Sequence, residues 1–103
     1  MRPEEKVAAV RSVAAARLLP KFIEHRERDA TSIRDALARQ DFDAIARLGH
    51  NMRGNGRSYG FPELGAIGEL LEHAADTRNE AEIGEQLTAL VAWLAQYHRT
   101  PGG

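Results

Sequence analysis

At 103 residues the chain has room for one compact domain and little more. Fourteen Lys and Arg against fifteen Asp and Glu leave a net charge of −1 and a pI near 6.4, which excludes a general attraction to nucleic acid or to an anionic membrane and makes any basic character local. The lack of cysteine excludes disulfides and thiolate metal sites, and no segment approaches the roughly 20 apolar residues that cross a bilayer.

The charged opening Met1-Arg2-Pro3-Glu4-Glu5-Lys6 lacks the apolar run of a signal peptide, so a soluble, cytoplasmic protein is expected. Pro3 suits a first helical turn, and Glu4 and Glu5 suit its positive end. A first helix over about 3–18 then carries a thin stripe of Val7, Val10, Ala14, Arg17 and Leu18. Pro20 breaks or kinks the path. From Leu19, the positions Phe22, Ile23, Arg26, Ala30, Ile33 and Leu37 repeat at helical spacing, which predicts a second amphipathic helix over 20–39. Gln40-Asp41 is a short link, Asp41 is a good N-cap for a third helix, and so short a link makes its two helices antiparallel neighbours.

The third helix, 41–58, turns Ile45, Leu48, Gly49, Met52 and Gly56 inward and Asp43, Ala46, Arg47, His50, Arg53, Gly54 and Arg57 outward. Gly60 suits a left-handed helix end. Pro62 and Glu63 reopen a helix over 62–76 with an inner stripe of Leu64, Ile67, Gly68, Leu71 and Ala75. Glu72 falls on the flank of that stripe, and Glu69 and His73 point away. After the polar turn Asp76-Thr77-Arg78-Asn79, a last helix over 80–98 places Ile83, Leu87, Leu90, Val91 and Leu94 inside, then Tyr97 or His98. No strand alternation, repeat or linker is present. The expected fold is all-α, a single domain over 1–103, built as an antiparallel four-helix bundle with an additional N-terminal helix.

The outward side of the third helix is unusual around His50. One turn before and one turn after stand Ala46 and Gly54, so nothing shields the imidazole. Gly49, Gly54 and Gly56 each cost roughly 1 kcal/mol relative to Ala inside a helix. Close approach of another surface to His50 accounts for Gly54, and tight packing on neighbouring helices accounts for Gly49 and Gly56. Arg47, Arg53 and Arg57 surround the ring with cations suited to phosphate oxygens. A neutral imidazole can carry a covalent intermediate, so these residues describe a phosphorylatable histidine.

With its two-residue gap to Arg53-Gly54 and a further five to Gly60, His50 sits in a motif that resembles that of the histidine phosphotransfer (HPt) domains of two-component phosphorelays. Met52 supplies the apolar residue two after the histidine and Gly49 the small residue before it. The family usually has Lys where this chain has Arg53 and often Ala where it has Gly49; a guanidinium binds phosphate as a planar fork instead of a point charge. The resemblance implies that His50 is the phospho-acceptor, Arg53 a phosphate-stabilising cation, Gly54 the opening for a partner, and Glu72 the acceptor for the imidazole Nδ1–H. The bland alternative for Glu72 is a solvated helix-edge carboxylate. Arg47 and Arg57, with Ala46 and Asp43, border the partner face; the two arginines contact phosphate, contact acidic partner residues, or are simply solvated. Asn55 and Ser58 either join that face or satisfy local backbone.

The implied partner is the receiver domain of a response regulator or hybrid histidine kinase, which brings its own Mg²⁺; the chain, a monomer, is expected to need no cofactor. It shows no phosphate-binding Gly-x-x-x-x-Gly-Lys-Ser/Thr loop, so the reading is a relay intermediate and not an enzyme with autonomous kinase or hydrolase activity. A metal site is disfavoured, because Glu24-His25 and Glu72-His73 lack the Glu-x-x-His spacing of dimetal bundles. His98 is read as a helix-end histidine. The contrasting function is a non-catalytic helical-bundle module that docks a kinase or receiver without being phosphorylated; it would not need His50.

Overall fold

Four helices make up the computed structural model, which describes residues 3–97, with side chains from Arg17 onward. They are α1 (Pro3–Ala38), α2 (Phe42–Tyr59), α3 (Pro62–Asp76) and α4 (Glu80–Ala95). Each turn is written in local chemistry. The Asp41 side chain accepts a hydrogen bond from the Ala44 N–H and starts α2, and Asn79 does the same for α4 through the Glu82 N–H, each cap contributing about 1 kcal/mol. Gly60, at φ +81°, closes α2 in the left-handed region, and Pro62 begins α3 two residues later.

These short turns fold the helices back on one another. Contacts run α1 to α2, α2 to α3, α3 to α4 and α4 back to α1, so the four helices close a ring around one core. Ile33, Ile45, Met52, Leu64, Leu71, Ile83 and Leu90 are its largest fully buried side chains, each contributing roughly 1.5–3 kcal/mol by burial. An aromatic group plugs the end of the bundle at the α2–α3 turn. Phe61 stacks on Phe22 at 5.3 Å and meets Trp93 edge-on at 5.4 Å, while Tyr59 and Tyr97 extend the group on either side.

The all-α bundle expected from periodicity is therefore present, with three local differences. The stretch expected as a separate N-terminal helix is helical but continuous with the next one, because α1 runs through Pro20. Pro20 is exposed; the helix forgoes one backbone bond there without its ring displacing a core side chain, so the proline interrupts the hydrogen-bond ladder without ending the helix. Leu18 and Val91, placed on inner stripes by spacing, are 51% and 44% exposed. Ile83, Leu90 and Leu94 stay inside as expected, but the buried flank beside them is that of Trp93, which meets Phe61 edge-on, and not that of Val91. The side chains of Val7, Val10 and Ala14, and His98 altogether, lie outside the described residues.

Candidate functional site

The site is made by how closely α3 approaches α2. Gly49 and Gly56 on α2 and Gly65 and Gly68 on α3 are all buried between the two helices. An ideal Cβ on Gly49 would lie 2.7 Å from both the Glu72 amide nitrogen and the Gly68 carbonyl oxygen, and one on Gly56 would lie 2.3 Å from the Gly65 nitrogen. One on Gly68 would lie 2.4 Å from the Arg53 nitrogen. Only hydrogen fits at these three positions, and the helix backbones are in direct contact as a result.

That contact puts three of the expected site side chains within reach of each other. His50 Nδ1 is 2.9 Å from Glu72 Oε2, Arg53 Nη1 is 3.3 Å from Glu72 Oε1, and Arg53 Nη2 is 3.2 Å from His50 Nδ1. The carboxylate thus faces both a ring nitrogen and a guanidinium. An arginine has only donors. If the neutral ring carried its proton on Nε2, Nδ1 would present a lone pair to the Glu72 carboxylate at hydrogen-bond distance, which is repulsive. With the proton on Nδ1, that group donates to Oε2, Arg53 pairs with Oε1, and both carboxylate oxygens are satisfied. The Arg53 contact opposes this, because its N–H can donate to Nδ1 only when that nitrogen is unprotonated. But Glu72 is the nearer partner, at 2.9 Å against 3.2 Å, and Arg53 has Oε1 as its alternative, so the arrangement favours the Nδ1–H tautomer and leaves the Nε2 lone pair free. The ring is open to a reactant: the His50 side chain is 58% exposed, against 24% for Glu72 and 31% for Arg53.

Around the ring, a Cβ on Gly54 would meet nothing within 4 Å, so this glycine faces open space and not a neighbouring helix. Asp43, Arg47 and Arg57 are exposed on the same helix. Arg57 lies 3.6 Å from Glu69 on α3, and Arg47 has no ion pair among the described residues. Ala46, expected on the outward side, is half-buried against the core; its position at the helix shoulder lets a methyl group turn inward. Arg53 also leans off the outward side, toward α3 and Glu72.

On the other side of His50, α1 and α2 bound an open cleft of about 440 Å³, lined by Arg26 and Asp29 from α1 and by His50, Asn51, Gly54, Asn55 and Ser58 from α2. Arg26 is buried, its guanidinium 4.9 Å from the Phe22 ring centre and its Nε 2.8 Å from Asp29 Oδ2. Burial raises the Asp29 carboxyl above its ordinary value; the Arg26 cation opposes that rise, and His25 opposes it more weakly. Sequence reasoning placed Arg26 on the inner stripe of its helix but did not connect it, Asp29 or Asn51 with His50. Nothing local signals a juxtaposition made by helix packing. Gly65 and Gly68, by contrast, were detectable as small residues three apart on the face of α3 that meets α2.

Among the described residues no group of three or more His, Asp or Glu is placed to hold a metal ion, and no helix is long and apolar enough to cross a membrane. Comparison with known families finds a match to the Hpt domain model over residues 17–100. No curated protein and no solved structure gives a match.

Proposed function

The chain belongs to the Hpt domain family, whose general role is histidine phosphotransfer in two-component phosphorelays, and on that premise we propose that it passes a phosphoryl group between receiver-domain aspartates through His50. The observation that carries this reading is the exposed imidazole held through Nδ1 by Glu72, with Nε2 unencumbered.

In the transfer, the Nε2 lone pair attacks the phosphorus of a receiver's phospho-aspartate in line. The P–N bond forms as the acyl-phosphate P–O bond breaks, and the aspartate leaves as a carboxylate. The ring keeps its Nδ1 proton and becomes cationic, which the Glu72 carboxylate 2.9 Å away stabilises. Arg53, which in the free chain contacts Glu72 and the Nδ1 edge of the ring, swings toward Nε2 to donate to the phosphoryl oxygens. Handing the group to a second receiver reverses each step. Mg²⁺ held by the receiver would supply charge neutralisation for the transferring group, and no residue of this chain is called on to bind it. This chain contributes the positioned nucleophile and no kinase or hydrolase activity of its own. Gly54 gives the partner access, while Arg47 and Arg57, bordered by Asp43 and Ala46, form the rim on which it docks. The protein acts as a soluble monomer in the cytoplasm.

The test is to incubate the chain with a phosphorylated receiver and Mg²⁺. An acid-labile, base-stable phosphate should appear on the wild type and be lost in His50→Gln. Labelling retained in His50→Gln would refute the acceptor assignment, and tight receiver binding without any label would instead identify a non-catalytic docking module.

A further inference from the structure

We propose that Gly68 and Gly49 are positioning residues, whose contact across the α2–α3 seam sets the proton on His50 Nδ1 by holding Glu72 within hydrogen-bond reach. For its bearing on transfer this rests on the reading of His50 as phospho-acceptor; for the state of the ring it rests on geometry alone.

The two glycines interlock with the two residues that touch His50. Gly49 lies directly before His50, and the backbone atom nearest its missing Cβ, together with the Gly68 oxygen, is the Glu72 nitrogen at 2.7 Å; Gly68 in turn backs onto the Arg53 nitrogen at 2.4 Å. Each helix therefore rests on the other at the residue that delivers its partner group. A methyl group on Gly68 needs about 3.4 Å of clearance from backbone atoms that cannot rotate away, so α3 must retreat by about 1 Å. A retreat of that size takes the 2.9 Å bond between His50 and Glu72 beyond the roughly 3.2 Å limit of an effective hydrogen bond. Without it, nothing on α3 opposes the Nε2–H tautomer, whose nitrogen has no lone pair to attack with.

Gly65 provides an internal control on the same helix and seam. A Cβ there would lie 3.5 Å from the Arg53 oxygen and 3.6 Å from the Arg57 side chain, ordinary contact distances. The proposal therefore separates two glycines three residues apart.

The experiment reads the ring directly, by ¹⁵N chemical shifts of His50 in the full chain at a pH where the imidazole is neutral. Wild type and Gly65→Ala should show predominantly the Nδ1–H tautomer. Glu72→Ala and Gly68→Ala should both shift to predominantly Nε2–H, with helical content retained by circular dichroism. Transfer from a phosphorylated receiver should slow by the same factor, within about two-fold, in Gly68→Ala and Glu72→Ala, and the double variant should be no slower than either single one. Should Gly68→Ala not fold, Gly49→Ala takes its place. The proposal is overturned if Glu72→Ala keeps the wild-type tautomer, if the glycine variant keeps it, or if Gly65→Ala loses it equally. A wild type that shows the tautomer pattern but accepts no phosphate would sink the phosphotransfer reading and leave the positioning role standing.

Discussion

Gly54 offers a perturbation in which stability and function should move in opposite directions. It lies inside α2 at a position with no positive φ, and a Cβ there meets nothing within 4 Å. Gly54→Ala therefore loses no contact and removes the conformational cost of a mid-helix glycine, a gain of about 0.5–1 kcal/mol. For a domain of this size that is a rise in Tm of roughly 2–8 °C. Gly54→Leu keeps most of that gain, but helical side chains lean toward the N-terminus and cover the turn before their own Cα. The turn before residue 54 is His50. The leucine of this variant lies over the imidazole and should slow transfer at least about ten-fold, equivalent to about 1.4 kcal/mol of barrier. Thermal unfolding monitored by circular dichroism gives the first quantity, and the initial rate of label uptake from a phosphorylated receiver gives the second. A lower Tm for Gly54→Ala, or a wild-type rate for Gly54→Leu, would refute the view that this glycine is kept for access at the expense of stability.

Glu72→Ala should slow label uptake ten-fold or more while leaving the phosphorylated state detectable once formed, because in the proposed transfer the carboxylate orients the imidazole and is not the acceptor; unchanged uptake rates would return Glu72 to a solvated edge residue. For Asp29, the folded carboxyl titrates above its unfolded value, so its contribution to stability is full below the ordinary carboxylate range and is lost as pH rises through the folded value. Arg26→Met removes the main opposing cation, raises the folded value further and enlarges that loss. The Tm deficit of the variant should accordingly grow as pH rises from the ordinary carboxylate range, and a deficit independent of pH would contradict the assignment. Trp93→Ala, at a site only 4% exposed, should cost about 3–5 kcal/mol in urea unfolding, whereas Val91→Ala on the exposed face should cost less than about 1; similar values for the two would mean that the inner face of α4 is misplaced.

How far the sequence reveals these features depends on whether their cause is local. Asp41 and Asn79 as caps, Gly60 as a left-handed stop and Pro62 as a first-turn residue each act within four residues, and helix ends were readable to within a residue or two there. The inner stripes of α2 and α3 were readable because Ile45, Met52, Leu64 and Leu71 recur at one helical spacing. Val91 and Trp93 were not separable by spacing, since both sit beside Leu90 and Leu94 and the choice is made by Phe61 from another part of the chain. Pro20 misled for a related reason: its penalty is intrinsic, but whether it ends a helix depends on the surroundings. His50, Arg53 and Gly54 stood out as a motif, and Glu72 through the family resemblance and its flank position. The Arg26–Asp29 wall of the cleft had no such marker.

The position of the glycine seam decides which helices can move without disturbing the ring. The groups that act on it, Glu72 and Arg53, and the ring itself belong to α2 and α3, which are joined by a two-residue turn and share the most extensive contact in the bundle. This hairpin can behave as a single cooperative unit, so transient loosening of α1 or α4 would leave His50, Arg53 and Glu72 assembled. Amides of Gly49, Met52 and Leu71 should then be among the slowest to exchange with deuterium, and a partner that pries at the outer helices would find His50 still held against Glu72.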